Sequence, residues 1–532
     1  MSYLRAALLA VTSIATSVAL VAQSAGPVEP VDRVAIAKIR DEALNRSHVE
    51  DTLFWLTDRY GPRLHGSPEF EEAGDWTVKQ LQTWGLSNVQ KERFPSGPGW
   101  SLVRFNASMV DPRVMPIIGV PKARSPGTSG RVTAEVVRPL ITSSADATRY
   151  RGTLKGKVVL IDPARAVRML EYGDGTVLRY DDDGGKWRKE AMSGGPPRPP
   201  IDPAPAAAAV APPPPRVVPA VFDLEAFYRQ EGVVALFDRG SSTDLASGGS
   251  LLSWRTQRTD GGTVVAEEFA SSANPAQGLP EVTLAVEHYN RMVRLVDRGV
   301  PVRVELEIDV RWTPEDVPRG FNIVGDLRGT DKADEVVLVG AHFDSFHGAT
   351  GATDNAAGVT AMMEALRVIK ASGLAPRRTI RIGLWGDEES GTVGSETYAA
   401  RHLGTHAQPQ PDLAKLSAYF NLDNGTGRIR GVWSQGNAGA RQVFEAWSTP
   451  LRDLGVDLIS PRWVGQSDHQ PFEERGVPAF QFVQERYEYG SRTHHTNMDF
   501  LDRVQVDDVK QMATVVAVFA WHAATRESLL PR

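Results

Sequence analysis

Residues Glu335–Gly358 read "EVVLVGAHFDSFHGATGATDNAAG". An apolar strand-like run leads through His-x-Asp and a glycine-rich bend to Asp-Asn at the head of a helical pattern. The run that follows, "AAGVTAMMEALRVIKAS", carries Met362, Leu366 and Ile369 on one helical face. Strand, bend and buried helix form the repeating unit of an α/β sheet. The same alternation continues outward from about Asn322 to the end of the chain. "TIRIGLW", "SAYFNL" and "PAFQFV" read as strands, and "RQVFEAWSTPLRDLG" reads as a helix between them.

Ligands of open α/β sheets collect beyond the carboxyl ends of the strands. Each strand named here is followed there by metal-ligand residue types. His342 and Asp344 follow the first, and Asp387, Glu388 and Glu389 follow "TIRIGLWG". Asp423 follows "SAYFNL", and His494, His495 and Asp499 follow "PAFQFV" after a short loop. Taken singly, each has an ordinary structural reading. Asp354 is a favoured helix N-cap, Gly351 and Gly358 are turn or packing glycines, and Glu388-Glu389 is a solvated pair. Together, histidines and carboxylates after four strands supply the nitrogen and oxygen donors that Zn²⁺ takes. The chain has no cysteine, so disulfides and thiolate metal sites are excluded.

The wider chain sets the frame. With 532 residues it exceeds one ordinary core, so about two or three domains are expected. A hydrophobic fraction of 41%, a charged fraction of 23% and a net charge of −6 are those of a globular protein with no nucleic-acid footprint. Residues 1–24 read as a signal peptide: Arg5 flanks an apolar run from Ala6 to Val21, then Ala22-Gln23-Ser24 offers small residues for cleavage. This predicts an exported chain, periplasmic or secreted, with no membrane span once mature. From about Val31 to Phe105 the pattern is helical, with Ala73, Val78, Leu81 and Trp84 on one stripe and Gly85 as a C-cap. From 109 to 310 the texture is β-rich, with "GKVVLID", "GVVALFD", "EVTLAV" and "VRVELEIDV". Within it, a Pro/Ala-rich tract at about 194–219 has a composition that cannot bury a core.

The motifs "HFDS", "TDNAAG", "GDEESGTVGS", "NLDNGTG", "SDHQPFEERGVPA" and "HHTNMD" occur in an order and spacing that resemble the co-catalytic two-zinc aminopeptidase family. That family includes bacterial secreted leucyl aminopeptidases and carboxypeptidase Q. "YGPRLHGSPEFEEAGDWTVKQLQTWGL" is similar to its N-terminal helical segment, and the β-rich region resembles the protease-associated domain inserted in many members. The resemblance implies a mixed, mostly parallel sheet sandwiched by helices. It divides the chain into a discontinuous peptidase domain, 25–108 and 311–532, and an inserted protease-associated domain, 109–310. It implies two Zn²⁺ ions, with Asp354 shared, His342 and Asp423 on one ion, and Glu389 and His495 on the other. Glu388 would be the general base toward a water bridging the ions, and Asp344 would orient His342. His495 is chosen over His494 because Thr496 and Asp499 follow it at the family's spacing, and His347 matches no ligand position. The implied activity is an aminopeptidase acting on peptides. The alternatives are a dipeptidase of the carboxypeptidase Q type, a glutaminyl cyclase with one zinc, and an inactive receptor-like protein.

Overall fold

In the computed structural model the described residues are 29–167, 186–193, 222–240, 260–267, 269–271, 275–313, 319–405 and 407–532. The signal peptide and the Pro/Ala tract read from the sequence lie outside them. One eight-stranded sheet runs in the spatial order Ser87–Phe94, Gly320–Leu327, Arg378–Trp385, Lys332–His342, Leu416–Asn421, Ala479–Gln484, Ile429–Trp433 and Leu458–Ser460. Its centre is parallel, with Lys332–His342 flanked by Arg378–Trp385 and Leu416–Asn421. Antiparallel pairing at Gly320–Leu327 and at Ile429–Trp433 makes the sheet mixed.

Both faces of this sheet are covered, and the period of two along each strand explains how. Val337, Val339 and Ala341 point into a core shared with Met362, Leu366 and Ile369 of helix Ala357–Ala371 and with Met512 and Val516 of helix Val506–Thr525. Leu338 points the other way, to Trp385, Tyr398, Tyr419 and Phe472. Each such fully buried Val, Leu, Ile or Met contributes about 1.5–3 kcal/mol, which fixes the centre of the sheet between its two helical layers. The four strands and the helix read from the sequence around the site are all present.

The helical reading of residues 31–105 holds only in its first part. Helix Pro68–Thr83 starts with Ser67 accepting from the Phe70 N–H and with proline in the first turn, and it stops at Gly85, whose φ of +83° suits glycine. Ser87–Phe94 and Gly99–Asp111 are then strands. The first is an edge strand whose "SNVQKERF" is exposed or half-buried except at Phe94, so it offers no apolar alternation to read.

A second eight-stranded sheet is built from residues 99–313, in the order Met115–Pro116, Gly99–Asp111, Arg303–Thr313, Val132–Val137, Val158–Leu160, Ala235–Asp238, Glu281–Leu284 and Gly119–Pro121. Gly99–Asp111 and Arg303–Thr313 pair antiparallel along their lengths, from Gly99 opposite Thr313 to Asp111 opposite Arg303. The two sheets meet at several points. Trp187 of the short helix Lys186–Met192 is buried among Trp433, Leu458 and Val483, and Arg188 pairs with Asp457 at 2.6 Å. His347 Nε2 donates to the Pro121 carbonyl at 2.7 Å.

Burial pushes the His347 imidazole down to about 4, only partly offset by its bond to Pro121. An unfolded histidine titrates near about 6.5. Between these values the unfolded chain holds the extra proton, so stability falls as pH drops through the window and is fully retained above it. His347→Gln, which keeps a donor, should flatten that dependence. Parallel stability profiles for the two proteins between these pH values would refute the assignment.

Candidate active site

The site forms where the strands of the first sheet end. His342 is the last residue of Lys332–His342, and the chain then bends through Gly351, which has φ +65°. A Cβ there would lie 2.3 Å from the Ser345 Cβ, so the left-handed turn admits only glycine. Asp354 and Asn355 follow with non-helical backbone angles before helix Ala357–Ala371 begins. Asn355 Nδ2 donates to the Leu422 carbonyl at 2.9 Å, and its Oδ1 accepts from the Gly358 N–H at 3.1 Å. A Cβ on Gly358 would sit 2.5 Å from the Leu422 carbonyl oxygen, so this glycine lets the helix approach the Asp423 loop.

These bends bring the sequence-predicted residues together. His342 Nε2 lies 3.0 Å from Asp354 Oδ1 and 3.2 Å from Asp423 Oδ1. On the other side, His495 Nε2 lies 3.3 Å from Asp354 Oδ2 and 3.0 Å from Glu389 Oε2. Asp354 Oδ1 therefore faces His342, and Oδ2 faces His495 most closely. His494 is stacked on His495 with ring centroids 3.6 Å apart, and its Nε2 is 3.8 Å from Asp354 Oδ2. Proximity alone thus brings both histidines to the cluster, although only His495 lies close to both Asp354 and Glu389. The Asp344 carboxylate is 3.8 Å from His342 Nδ1, which lies nearer the Asp344 main-chain oxygen at 3.2 Å. That carboxylate also accepts the backbone N–H groups of Glu388 at 3.2 Å and Glu389 at 3.4 Å, so it ties two strand ends together.

The site has supports whose hydrogen bonds spacing did not reveal. Asp499 accepts from the backbone N–H of Thr353 at 2.6 Å and of Asp354 at 3.1 Å. Ser467 donates to Asp423 Oδ2 at 2.5 Å and accepts from Asn421 Nδ2 at 2.8 Å. Asn421 Oδ1 in turn accepts from the Tyr419 hydroxyl, which accepts from Trp385 Nε1, both at 2.6 Å. Alternation along Leu416–Asn421 puts Tyr419 and Asn421 on one face, and that is the only hint the sequence carried. Arg63, fully buried, donates to the carbonyls of Leu56, Phe343, Thr350 and Gly351. It holds both ends of the loop between His342 and Asp354.

The electrostatics are those of an acid cluster short of cations. Burial, then Asp354, pushes the Glu389 carboxyl up to about 7, and burial pushes Glu388 well above the carboxylate range. Burial opposes charge on His342 and His495, yet the surrounding carboxylates outweigh it and push both imidazoles up. Among the described residues, the buried oxygens Asp354 Oδ2 and Glu389 Oε1 have no hydrogen-bond donor. Buried polar atoms without partners are uncommon, and an oxygen and imidazole set with such orphans suits a divalent cation. His342, Asp354 and Glu389 converge closely enough to hold one ion, as do Asp354, His494 and His495. The cluster opens on a cavity of about 1100 Å³ whose walls carry Trp433, Trp463 and Tyr489 beside Arg462 and Arg486.

Comparison with known proteins bears on the fold and on the class of reaction. Residues 322–520 match the model of peptidase family M28. Mouse carboxypeptidase Q is 26% identical over 492 residues, covering 92% of this chain and 87% of that protein. Aminopeptidase YwaD of Bacillus subtilis is 28% identical over 217 residues, covering 39% of this chain and 45% of that protein. The crystal structure of a peptidase M28 precursor from Shewanella amazonensis superposes with a TM-score of 0.62 at 24% identity, covering 94% of this chain and 98% of that one. BSAP, a zinc aminopeptidase from Bacillus subtilis, superposes with a TM-score of 0.54 at 18% identity over 91% and 96% of the two chains. Ligand-type residues gathered around Asp354, a cation-seeking donor set and the match of residues 322–520 to peptidase family M28 lead to one conclusion: the chain is a metallopeptidase.

Proposed function

We propose that the protein is an exopeptidase with two Zn²⁺ ions that removes N-terminal residues from peptides. One observation carries the reading: His342 Nε2 and His495 Nε2 approach opposite oxygens of the same aspartate, Asp354, at 3.0 and 3.3 Å. In this reading His342, Asp354 and Asp423 hold one ion, and Asp354, Glu389 and His495 hold the other. When bound, the ions supply Lewis acidity toward a peptide carbonyl and an adjacent water. Glu388, in the cavity wall beside His342 and Asp354, takes a proton from the attacking water and returns it to the leaving amine nitrogen. Asp344 fixes where Glu388 starts by holding its backbone N–H. The 109–310 segment is read as an inserted protease-associated domain and residues 1–24 as an export signal. Among the described residues no helix is long and apolar enough to cross a membrane.

Cleavage of free dipeptides is a second reading, favoured by Arg462 and Arg486 in the cavity wall, two cations suited to a free carboxylate. A panel of aminoacyl chromogenic substrates beside free and N-acetylated dipeptides, with metal content measured on the same protein, tests both. Expected are chelator-sensitive cleavage that needs a free α-amine and close to two zinc ions per chain. Equal cleavage of N-acetylated substrates would refute the aminopeptidase reading, and a ratio near one ion per chain would refute the two-ion reading. A preference for free dipeptides over longer aminoacyl substrates would select the second activity.

A further inference from the structure

The two histidines on Asp354 are supported differently. His342 Nδ1 faces Asp344, two residues along the same loop. His495 has Nε2 turned toward Glu389 and Asp354, and its Nδ1 lies 3.3 Å from Oε2 of Glu267. Glu267 is 228 positions away in sequence and belongs to the part of the chain that builds the second sheet. A carboxylate that accepts from Nδ1–H fixes the imidazole tautomer and leaves the Nε2 lone pair directed inward.

The backbone around Glu267 is fitted to the same loop. Ala266 N–H donates to the His495 carbonyl at 2.7 Å, and Asn497 N–H donates to the Val264 carbonyl at 3.0 Å, with Val265 opposite Thr496 in an antiparallel bridge. Asn497 completes the splint with its side chain, accepting from Val264 N–H at 2.7 Å and donating to the Gly262 carbonyl at 3.1 Å. His495 itself has φ +56°, a backbone conformation that a non-glycine residue keeps only where its surroundings hold it. The Phe346 ring packs on its imidazole at 4.6 Å between centroids.

We propose that Glu267 is a positioning residue for His495, so that segment 262–267 sets the affinity of the ion held by Glu389 and His495. This rests on the two-ion reading above. The ion on the His342 side has its support, the main-chain oxygen of Asp344 at 3.2 Å with its carboxylate at 3.8 Å, within its own loop and is independent of the segment. The second sheet then completes the metal centre, where a mere covering layer would leave it unchanged.

Zn²⁺ binding to metal-free wild type, Glu267→Gln and Glu267→Ala, followed by competition with a chromophoric chelator, tests the proposal. For wild type, two ions are expected. In Glu267→Ala one of them should weaken by about 10–100-fold while the other stays unchanged, and Glu267→Gln, which keeps an acceptor, should fall between. Visible absorption of the Co²⁺-loaded proteins should change only in the band of the weakened ion. Unchanged affinities for both ions in Glu267→Ala would overturn the proposal. So would equal weakening of both with a lowered thermal midpoint of the metal-free protein, the signature of a structural tie. Wild type taking up a single ion would refute the two-ion reading. The positioning role would then stand if Glu267→Ala weakened that ion with the midpoint unchanged, and fall if it did not.

Discussion

Glu388→Gln should lower kcat by about 10²–10⁴-fold while leaving metal content and KM close to wild type. Glutamine fills the same volume and keeps the backbone N–H that Asp344 holds at 3.2 Å, so the loop geometry is preserved. What it lacks is an oxygen able to take a proton from water and pass it on. Its neighbour gives the contrast. Glu389 lies 3.0 Å from His495 through Oε2, so Glu389→Gln should show its first defect in metal content. Steady-state kinetics on metal-analysed samples separate the two. A Glu388→Gln enzyme within tenfold of wild-type kcat would show that another group moves the proton.

Arg63→Ala should cost about 4 kcal/mol or more of stability, because it strips the donors from four carbonyls in the interior at about 1–3 kcal/mol each. Burial pushes the guanidinium down to about 10, against the raising influence of Asp499, Asp344 and Asp354. The side chain is therefore still charged at neutral pH and gives that region a cation of its own. Arg63→Lys should recover only part of the loss, since three ammonium donors cannot reproduce the planar fork. Denaturant unfolding of the metal-free proteins measures this without interference from ligand binding. An unchanged midpoint in Arg63→Ala would mean that water replaces the guanidinium at no cost.

The strands were legible because each one near the site alternates between two buried faces, as Val337 and Val339 do against Leu338. His342, Glu389 and Asp423 were legible because they stand where those strands stop. Other features lacked any local pattern. Arg63 sits between proline and leucine in a loop, and its importance comes from carbonyls that are about 280 positions away in sequence for Phe343, Thr350 and Gly351. Ser467 and Asp499 act through hydrogen bonds to loops from other strands, which no period can encode. Glu267 is one acid among 65 acidic residues until the fold sets it against His495. The edge strand Ser87–Phe94 was missed because it is polar at most positions and fully buried only at Phe94, so it carries no hydrophobic alternation.

The antiparallel pair Gly99–Asp111 and Arg303–Thr313 has a bearing on how this chain can change in length. The polypeptide leaves the catalytic layer at Gly99 and comes back opposite it at Thr313, so the ends of the whole excursion are already clamped side by side. For a flexible loop, closure entropy rises only logarithmically with length, by about 0.6 kcal/mol per doubling. Residues added far from that clamp therefore burden the peptidase sheet very little. A single inserted residue between Gly262 and Glu267, by contrast, would break the register against His495.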